Sequence, residues 1–212
     1  MTPDVSLKGL SDNMKKCPGW GVLLERINEK MLKSSDVNRI LGISYRQLSD
    51  WEKRGVLKTI FKRSRKKKTT GWRTFSIADL ISLGLLREAK RQGISITSLQ
   101  KVMEGIFFTK NLLNETFPRI AGGLDVFFYT NFEKWTSYYG VNRQHERVEV
   151  SVDYLRESNI VVIIPVNRIV DDIFRKLKRP DFEAIKKKEG GYSFIINKVP
   201  LALEELPEFT TP

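Results

Sequence analysis

With 212 residues, of which 41% are hydrophobic and 29% charged, the chain has the size and composition of a globular protein with one or two domains and a buried core. Its longest apolar run, residues 160–164, excludes a membrane-spanning helix of roughly 20 residues. The net charge is +12, and residues 34–106 carry most of it, with 16 Lys and Arg residues against 6 Asp and Glu residues. Such a local excess attracts polyanions: nucleic acid first, an anionic membrane second and an acidic protein third.

Cysteine and histidine each occur once, as Cys17 and His145. A single cysteine excludes an intramolecular disulfide and a thiolate metal cluster. Nothing near either residue supplies the second partner of a nucleophilic catalytic site. We therefore expect no enzyme, no cofactor and no metal site. The N-terminus lacks the hydrophobic core of a signal peptide, so we expect a cytoplasmic protein with no membrane partner.

Residues 1–33 are predicted to form a helical appendage. The stretch from Trp20 to Met31 is amphipathic, and its apolar side chains at helical spacing are Val22, Leu23, Ile27 and Met31. The two glycines beside Trp20 indicate a bend at that point.

Two short helices joined by a tight turn are predicted from residue 34 onwards. Ser35 is the candidate N-cap of the first helix, and Gly42 ends it. Ser44 caps the second helix, and Gly55 ends it as a left-handed cap. The apolar positions with three- and four-residue spacing are Val37, Ile40 and Leu41 in the first helix and Leu48 and Trp51 in the second. This arrangement is typical of a helix-turn-helix, although small helical hairpins are common.

With its apolar side chains facing the core, the second helix turns outwards the groups that suit nucleic acid. Arginine pairs with guanine, glutamine with adenine, and aspartate accepts from cytosine, while Ser44 and Lys53 suit phosphates. The alternative is an ordinary solvated face with an ion pair between Arg46 and Asp50. The candidate DNA-contacting residues here are Ser44, Tyr45, Arg46, Gln47, Ser49, Asp50, Trp51 and Lys53.

A basic hairpin is predicted next, with strands at residues 56–60 and 72–75. Its tip is so densely cationic that a bound polyanion is the best way to relieve the repulsion. Beside a helix-turn-helix we interpret this hairpin as a wing that contacts phosphates. A flexible solvated loop and a nuclear-import-like cluster are the alternatives. The candidate residues of the wing are Arg63, Arg65, Lys66, Lys67 and Lys68.

Ser76 and Asp79 form a predicted capping box at the start of a largely buried helix, which ends at Gly93. A shorter helix is predicted at residues 97–104. Residues 107–123 are predicted to be a short linker or helix, interrupted by Pro118 and by two glycines.

Residues 124–205 alternate between strand and helix patterns, which predicts a small α/β domain followed by a tail at residues 206–212. Strands are predicted at 126–129, 148–152, 160–164 (fully buried) and 192–196, and a helix at 169–177. Asp171 and Asp172 are adjacent on this helix, so their carboxylates diverge. The predicted fold class is α+β, an N-terminal winged helix-turn-helix followed by the small C-terminal α/β domain.

Three runs of the sequence resemble the winged helix-turn-helix domain of the MerR family. They are residues 43–57 (ISYRQLSDWEKRGVL), residues 71–76 (GWRTFS) and residues 93–96 (GISI), and their order and spacing match over about residues 34–106. The resemblance implies that the second helix enters the major groove, that the wing lies on phosphates and that Arg73 lies near the DNA backbone. It also implies a nucleoid-associated transcription regulator that binds double-stranded DNA as a homodimer and distorts promoter DNA.

Departures from the family pattern concern the second helix and the dimer contact. Ser49 stands where the family has an arginine, and Asp50 and Trp51 stand where it has an aromatic pair. The Trp51 indole N–H, Arg46 or the longer wing could compensate for a lost phosphate contact. Pro118 and the glycines after it shorten the region in which the family has its dimerisation helix, and the cysteines of metal-sensing members are absent.

The sequence therefore predicts a sequence-specific transcription regulator that binds double-stranded DNA. The region 124–205 is predicted to dimerise, or to contact an unknown effector or RNA polymerase. Two alternatives remain open: an architectural or excisionase-type protein that bends DNA, and an adaptor that binds RNA or an acidic protein through the basic wing.

Overall fold

The computed structural model describes residues 18–57, 73–95, 97–98, 117–123, 125–130, 136–141, 162–188 and 190–203. Several predictions lie outside these residues: the tip of the wing, the strand at 148–152, the tail and most of the helix at 97–104. Within the described residues, no helix is long and apolar enough to cross a membrane.

The described part of the N-terminal half contains α1 (Pro18–Asn28), β1 (Leu32–Lys33), α2 (Ser34–Leu41), α3 (Tyr45–Lys53), β2 (Thr74–Phe75) and α4 (Ile77–Arg91). The elements described in the C-terminal half are α5 (Phe117–Ala121), β3 (Asp125–Thr130), β4 (Thr136–Val141), β5 (Val162–Pro165), α6 (Val166–Lys176), β6 (Phe182–Lys186), β7 (Tyr192–Ile196) and β8 (Val199–Leu201). Helices and small antiparallel sheets together confirm the predicted α+β class.

The strands of the described residues form three antiparallel sheets. Strand β1 pairs with β2, with Leu32 opposite Phe75. The other two sheets have the strand orders β4-β3-β5 and β6-β7-β8. Strands β4, β6 and β8 were not predicted from the sequence. Pro118 is the second residue of α5, where its missing N–H is not needed, so it does not interrupt this helix.

The first strand of the predicted wing does not begin at Val56. Residues 54–57 form a turn, and both Val56 and Leu57 are buried in the core. Within the described residues, the partner of β2 is β1, which precedes the two short helices. The apolar pattern at Val56 and Leu57 therefore reflects core packing and not an exposed hairpin strand.

Helix α1 buries Trp20, Leu23 and Ile27, whose spacing places them on one face. Two other predicted core residues, Val22 and Met31, are instead 47% and 42% exposed. Val22 lies on the opposite side of the helix from Trp20, and Met31 follows the helix end. The glycines beside Trp20 are helical, so the predicted bend is wrong.

Helix α6, from the C-terminal half, packs against α2 and α4 of the N-terminal half. The Ile169 side chain lies so close to Gly84 of α4 that a Cβ at that position would clash with it. The Lys176 ammonium donates to the Ile40 carbonyl at 3.0 Å, and Arg39 donates to the Lys176 carbonyl. Helices α2 and α6 thus supply donors to each other's C-terminal carbonyls. The buried residues of both halves form one hydrophobic cluster.

An aromatic cluster fills the C-terminal half between α5, α6 and the third sheet. The rings are 5.1 to 6.1 Å apart between centroids and belong to Phe117, Phe174, Phe182, Tyr192 and Phe194. The turn before β7 reaches the end of α5, where Gly191 has a φ of +70° and a Cβ would clash with the Ala121 carbonyl oxygen. Only glycine combines this conformation with this approach.

Strand β5 alternates between buried and exposed side chains, and Ile163 is exposed. The prediction of a fully buried strand here is wrong, because β5 buries only one of its faces. Helix α6 ends at Lys176, where Leu177 takes up an extended conformation.

Asp171 and Asp172 diverge on α6, as their adjacency predicts. Asp171 accepts hydrogen bonds from Tyr192 and from Lys186, while Asp172 accepts from Arg175. Burial, together with the hydrogen bond to the Asp171 carboxylate and its charge, raises the pKa of the Tyr192 hydroxyl. The two bonds of Asp171 connect α6 to the third sheet.

Candidate nucleic-acid interface

Helix α2 has Lys33 as its N-cap residue, so the prediction of Ser35 is wrong by two residues. The Asp36 carboxylate accepts a hydrogen bond from the Lys33 N–H at 2.9 Å and another from Arg39 at 3.1 Å. A carboxylate is favoured here because the free N–H groups of the first turn attract negative charge. Gly42, at a φ of +68°, ends the helix as predicted.

The contacts of Asp36 keep its carboxyl group ionised. Partial burial on its own would raise the pKa of this group. The hydrogen bonds from Lys33 and Arg39, together with the positive charge of Arg39, outweigh burial, so the pKa of Asp36 lies below its ordinary value. The charge of Asp36 therefore stabilises the start of the helix-turn-helix.

Ser44 caps helix α3, which confirms the prediction. Its Oγ accepts from the Gln47 N–H at 3.2 Å, and the Gln47 Oε1 accepts from the Ser44 N–H at 2.8 Å. Recognition of adenine by two hydrogen bonds would need the same Gln47 oxygen as acceptor. In this arrangement that oxygen stabilises the start of α3.

The C-terminus of α3 is closed by two backbone hydrogen bonds. The Gly55 N–H donates to the Glu52 carbonyl and the Val56 N–H to the Trp51 carbonyl, both at 2.9 Å. Gly55 has a φ of +78°, which confirms the predicted left-handed cap. Both ends of α3 are thus determined by its own sequence.

The two faces of α3 differ as predicted, with Leu48 and Trp51 in the core. Tyr45 is 65% exposed, whereas Trp51 is only 2% exposed. Trp51 is also one of the predicted DNA contacts. Its side chain is buried, and a contact with DNA through its indole N–H stays a prediction. Of the remaining candidates, Arg46, Gln47 and Lys53 are exposed and Ser44, Ser49 and Asp50 are half-buried.

The ion pair on the outer face of α3 differs from the expected one. Arg54, and not Arg46, donates to the Asp50 carboxylate, at 2.9 Å. Within the described residues, Arg46 makes no ion pair. Arg46 is therefore the exposed arginine of α3 whose charge is not offset by a neighbouring carboxylate in the described part of the chain.

Arg73, immediately before β2, crosses to the outer face of α3. Its Nη2 donates to the Glu52 carboxylate, and its Cζ lies 5.9 Å from the centroid of the Tyr45 ring. The half-buried guanidinium is thus held between a carboxylate and an aromatic ring. The structure places Arg73, Tyr45 and the exposed face of α3 together, as a joint contact with DNA requires.

Residues 32–106 match the sequence profile of the family described as MerR HTH family regulatory protein. This segment is a MerR-type helix-turn-helix domain. A domain of this type binds DNA in transcription regulation. MerR-type regulators are in general not enzymes. The match begins at β1, two residues before the predicted boundary. Among curated proteins, none matches the chain significantly.

The basic wing of the MerR-type domain lies outside the described residues, at positions 58–72. The candidate contacts Arg63, Arg65, Lys66, Lys67 and Lys68 belong to it. Their contribution to binding therefore stays a prediction from charge density. Within the described residues, no group of three His, Cys, Asp or Glu side chains is placed to hold a metal ion.

Two residues of the interface were not among the predicted site residues. The spacing of Arg54, four residues after Asp50, is a helical ion-pair signal that could have identified it. The pairing of Glu52 with Arg73 joins residues 21 positions apart, and no local pattern indicates it.

Proposed function

We propose that the protein regulates transcription by sequence-specific binding to double-stranded DNA. In this proposal, α3 enters the major groove and the basic wing contacts the phosphates beside it. The supporting observation is the geometry of α3, which is capped at both ends, buries Leu48 and Trp51, and turns Tyr45, Arg46 and Lys53 outwards. A helix held in this way can present its outer side chains to base edges without rearrangement.

Within α3, different side chains would have different roles. Arg46 is the best candidate for reading a base, because an arginine without a carboxylate partner can offer both N–H groups to guanine. Lys53 at the helix end suits a phosphate. Gln47 and Ser44 would act mainly by fixing the start of the helix, and Asp50 by holding Arg54.

The C-terminal half would act as a dimerisation or effector domain, or as a contact for RNA polymerase. Support comes from α6, which packs directly on α2 and α4, so that an event in the C-terminal half can reach the DNA-binding elements. The homodimer follows from the MerR resemblance and the usual two-fold symmetry of operators. Sedimentation of the protein with and without a selected duplex measures the subunit number.

Binding to DNA is tested by selecting bound duplexes from random and genomic pools and measuring their affinity against salt. We expect Lys66→Ala and Lys67→Ala to weaken every duplex similarly and to lower the salt slope by about 1 each. We expect Arg46→Ala to cost about 1–3 kcal/mol on the selected sites and to broaden the base preference at one position.

Other outcomes would point elsewhere. Unchanged duplex affinity in the wing variants would contradict the proposed phosphate contact. Preference for single-stranded RNA over duplex DNA would favour the adaptor alternative, and selected sites far from promoters would favour an architectural role.

A further inference from the structure

Three side chains of α3 lie along one face of the helix. Tyr45 and Glu52 are seven residues apart, which is two helical turns, and Ser49 lies between them on the same side. Tyr45 and Glu52 both contact the guanidinium of Arg73, which therefore spans this face lengthwise. The small Ser49 side chain does not fill the span between them.

Arg73 reaches this face from outside the helix, because it stands just before β2. A free arginine side chain samples many rotamers, and ordering it on binding reduces affinity. Here the Glu52 carboxylate sets one edge of the guanidinium and the Tyr45 ring lies beneath it at 5.9 Å. The guanidinium is therefore oriented before any ligand arrives.

A carboxylate at this place has an evident disadvantage, since it would repel a DNA phosphate. The planar guanidinium, however, carries five N–H donors and can bond a carboxylate and a phosphate together. Glu52 would then assist binding through Arg73 more than it opposes binding by its charge.

We propose that Glu52 is a positioning residue, which together with the Tyr45 ring orients the Arg73 guanidinium across the exposed face of α3 for contact with a DNA phosphate. The inference rests on the proposed DNA-binding function and extends it to a residue that makes no contact with DNA itself. It assigns Tyr45 a role as the platform for Arg73.

The test compares Glu52→Ala with Glu52→Gln in the full chain. Both variants remove the same negative charge, but only glutamine keeps an acceptor for the Arg73 N–H. We expect Glu52→Ala to bind a mixed-sequence duplex about fivefold more weakly than Glu52→Gln, which corresponds to one ordinary hydrogen bond. In an Arg73→Gln background this difference disappears. Thermal melting of each variant separates a binding effect from a loss of folding.

The ring is tested in the same way. Tyr45→Phe keeps the aromatic ring and Tyr45→Leu removes it, so we expect the leucine variant to bind the duplex more weakly. In the Arg73→Gln background the two variants should bind with the same affinity. As a matched control, the Arg175–Asp172 pair on α6 is replaced by Gln and Asn, which removes another exposed pair of opposite charges.

The results that would overturn the inference are specific. If Glu52→Ala and Glu52→Gln bind the duplex equally, and both bind it more tightly than the parent protein does, then the Glu52 charge opposes DNA binding and does not assist it. A gap that persists in the Arg73→Gln background would mean that Glu52 acts on folding or on another residue. If the parent protein shows no salt-dependent binding to duplex DNA, the proposed function fails and the inference fails with it. If the wing variants weaken binding but Glu52→Ala and Glu52→Gln bind equally, the proposed function stands and only the inference fails.

Discussion

Ser44 and Gln47 each accept a hydrogen bond from the other's backbone N–H, and this pair determines where α3 begins. At the scale of single residues, the candidate interface depends on such local bonds. Arg54 holds Asp50 and Glu52 holds Arg73, while Arg46 and Tyr45 extend outwards. One short helix therefore carries both residues that bond within the protein and residues that face the solvent.

Replacement of the cap should destabilise the protein measurably. We expect Ser44→Ala to lower the free energy of unfolding by about 1 kcal/mol, because the Gln47 N–H loses its acceptor. Urea denaturation measures this loss. Ser49→Ala, in the same helix but away from the cap, serves as the control and should change stability by less than about 0.5 kcal/mol. Equal losses in the two variants would contradict the role of the capping box.

Through Asp36, the stability of the start of α2 depends on pH. Its pKa is lowered in the folded protein, so the stability it contributes is complete above the unfolded-state pKa and is lost as the pH falls through the folded-state pKa. Asp36→Asn keeps an acceptor for the Lys33 N–H but does not titrate. We expect the stability difference between the parent and Asp36→Asn to shrink from about pH 5 downwards in urea denaturation. A constant difference over this range would show that the charge of Asp36 does not contribute.

At the scale of elements, the decisive contact is between α4 and α6. Gly84 allows the Ile169 side chain to approach the α4 backbone, and a Cβ would meet it too closely. Isoleucine is branched at Cβ and has few rotamers available, so it cannot easily move aside. The approach of the two helices is therefore set by the absence of a side chain at one position.

Two glycine substitutions separate packing from helix propensity. Gly21→Ala lies in α1, where an added Cβ meets nothing within 4 Å, and should stabilise the protein by about 0.5–1 kcal/mol. Gly84→Ala gains the same propensity but overpacks the contact with Ile169, so we expect a net loss of about 1–2 kcal/mol. In an Ile169→Ala background, Gly84→Ala should become stabilising. Urea denaturation of the parent and of these four variants measures the changes in stability, and a stabilising Gly84→Ala in the parent would contradict the close packing.

At the scale of the whole molecule, the DNA-binding segment shares its core with the rest of the chain. The Ile40 carbonyl of α2 is bonded by Lys176 of α6, and Trp20, Leu23 and Ile27 of α1 belong to the same hydrophobic cluster. Residues 32–106 alone would expose these surfaces to water. Separating the DNA-binding segment from the C-terminal half would expose apolar surface on both, and the free energy of burying that surface would be lost.

A fragment of residues 32–106 should therefore not fold as the whole chain does. We expect the full chain to unfold cooperatively and the fragment to show no cooperative transition, because it lacks both α1 and α6. Circular dichroism during heating measures the difference, and a fragment of residues 18–203 is the control. A cooperative transition of the short fragment at the temperature of the full chain would show that the MerR-type domain is autonomous.

Prediction from the sequence succeeded where one local pattern determines the structure. The caps at Ser44 and Ser76, the left-handed cap at Gly55, the helix-ending glycines at positions 42 and 93, and the buried Leu48 and Trp51 all follow from spacing of a few residues. It failed at Ser35, at the strand expected from Val56 and at the fully buried strand β5. At Val56 and in β5 the observed structure satisfies the same local pattern, and burial against distant residues decides between the alternatives. At Ser35 the Asp36 carboxylate instead bonds the Lys33 N–H, which places the N-cap at Lys33.

By itself, the sequence determined the MerR-type character of the segment, the two short helices and the caps of the second helix. The helices and these caps depend on neighbours within one or two helical turns. Only the tertiary structure decided that β2 pairs with β1, that α6 joins the core of the DNA-binding domain and that Glu52 and Tyr45 hold Arg73. The physical reason is distance along the chain. These contacts join residues that no periodic pattern relates, and they form only when the whole hydrophobic core brings the elements together.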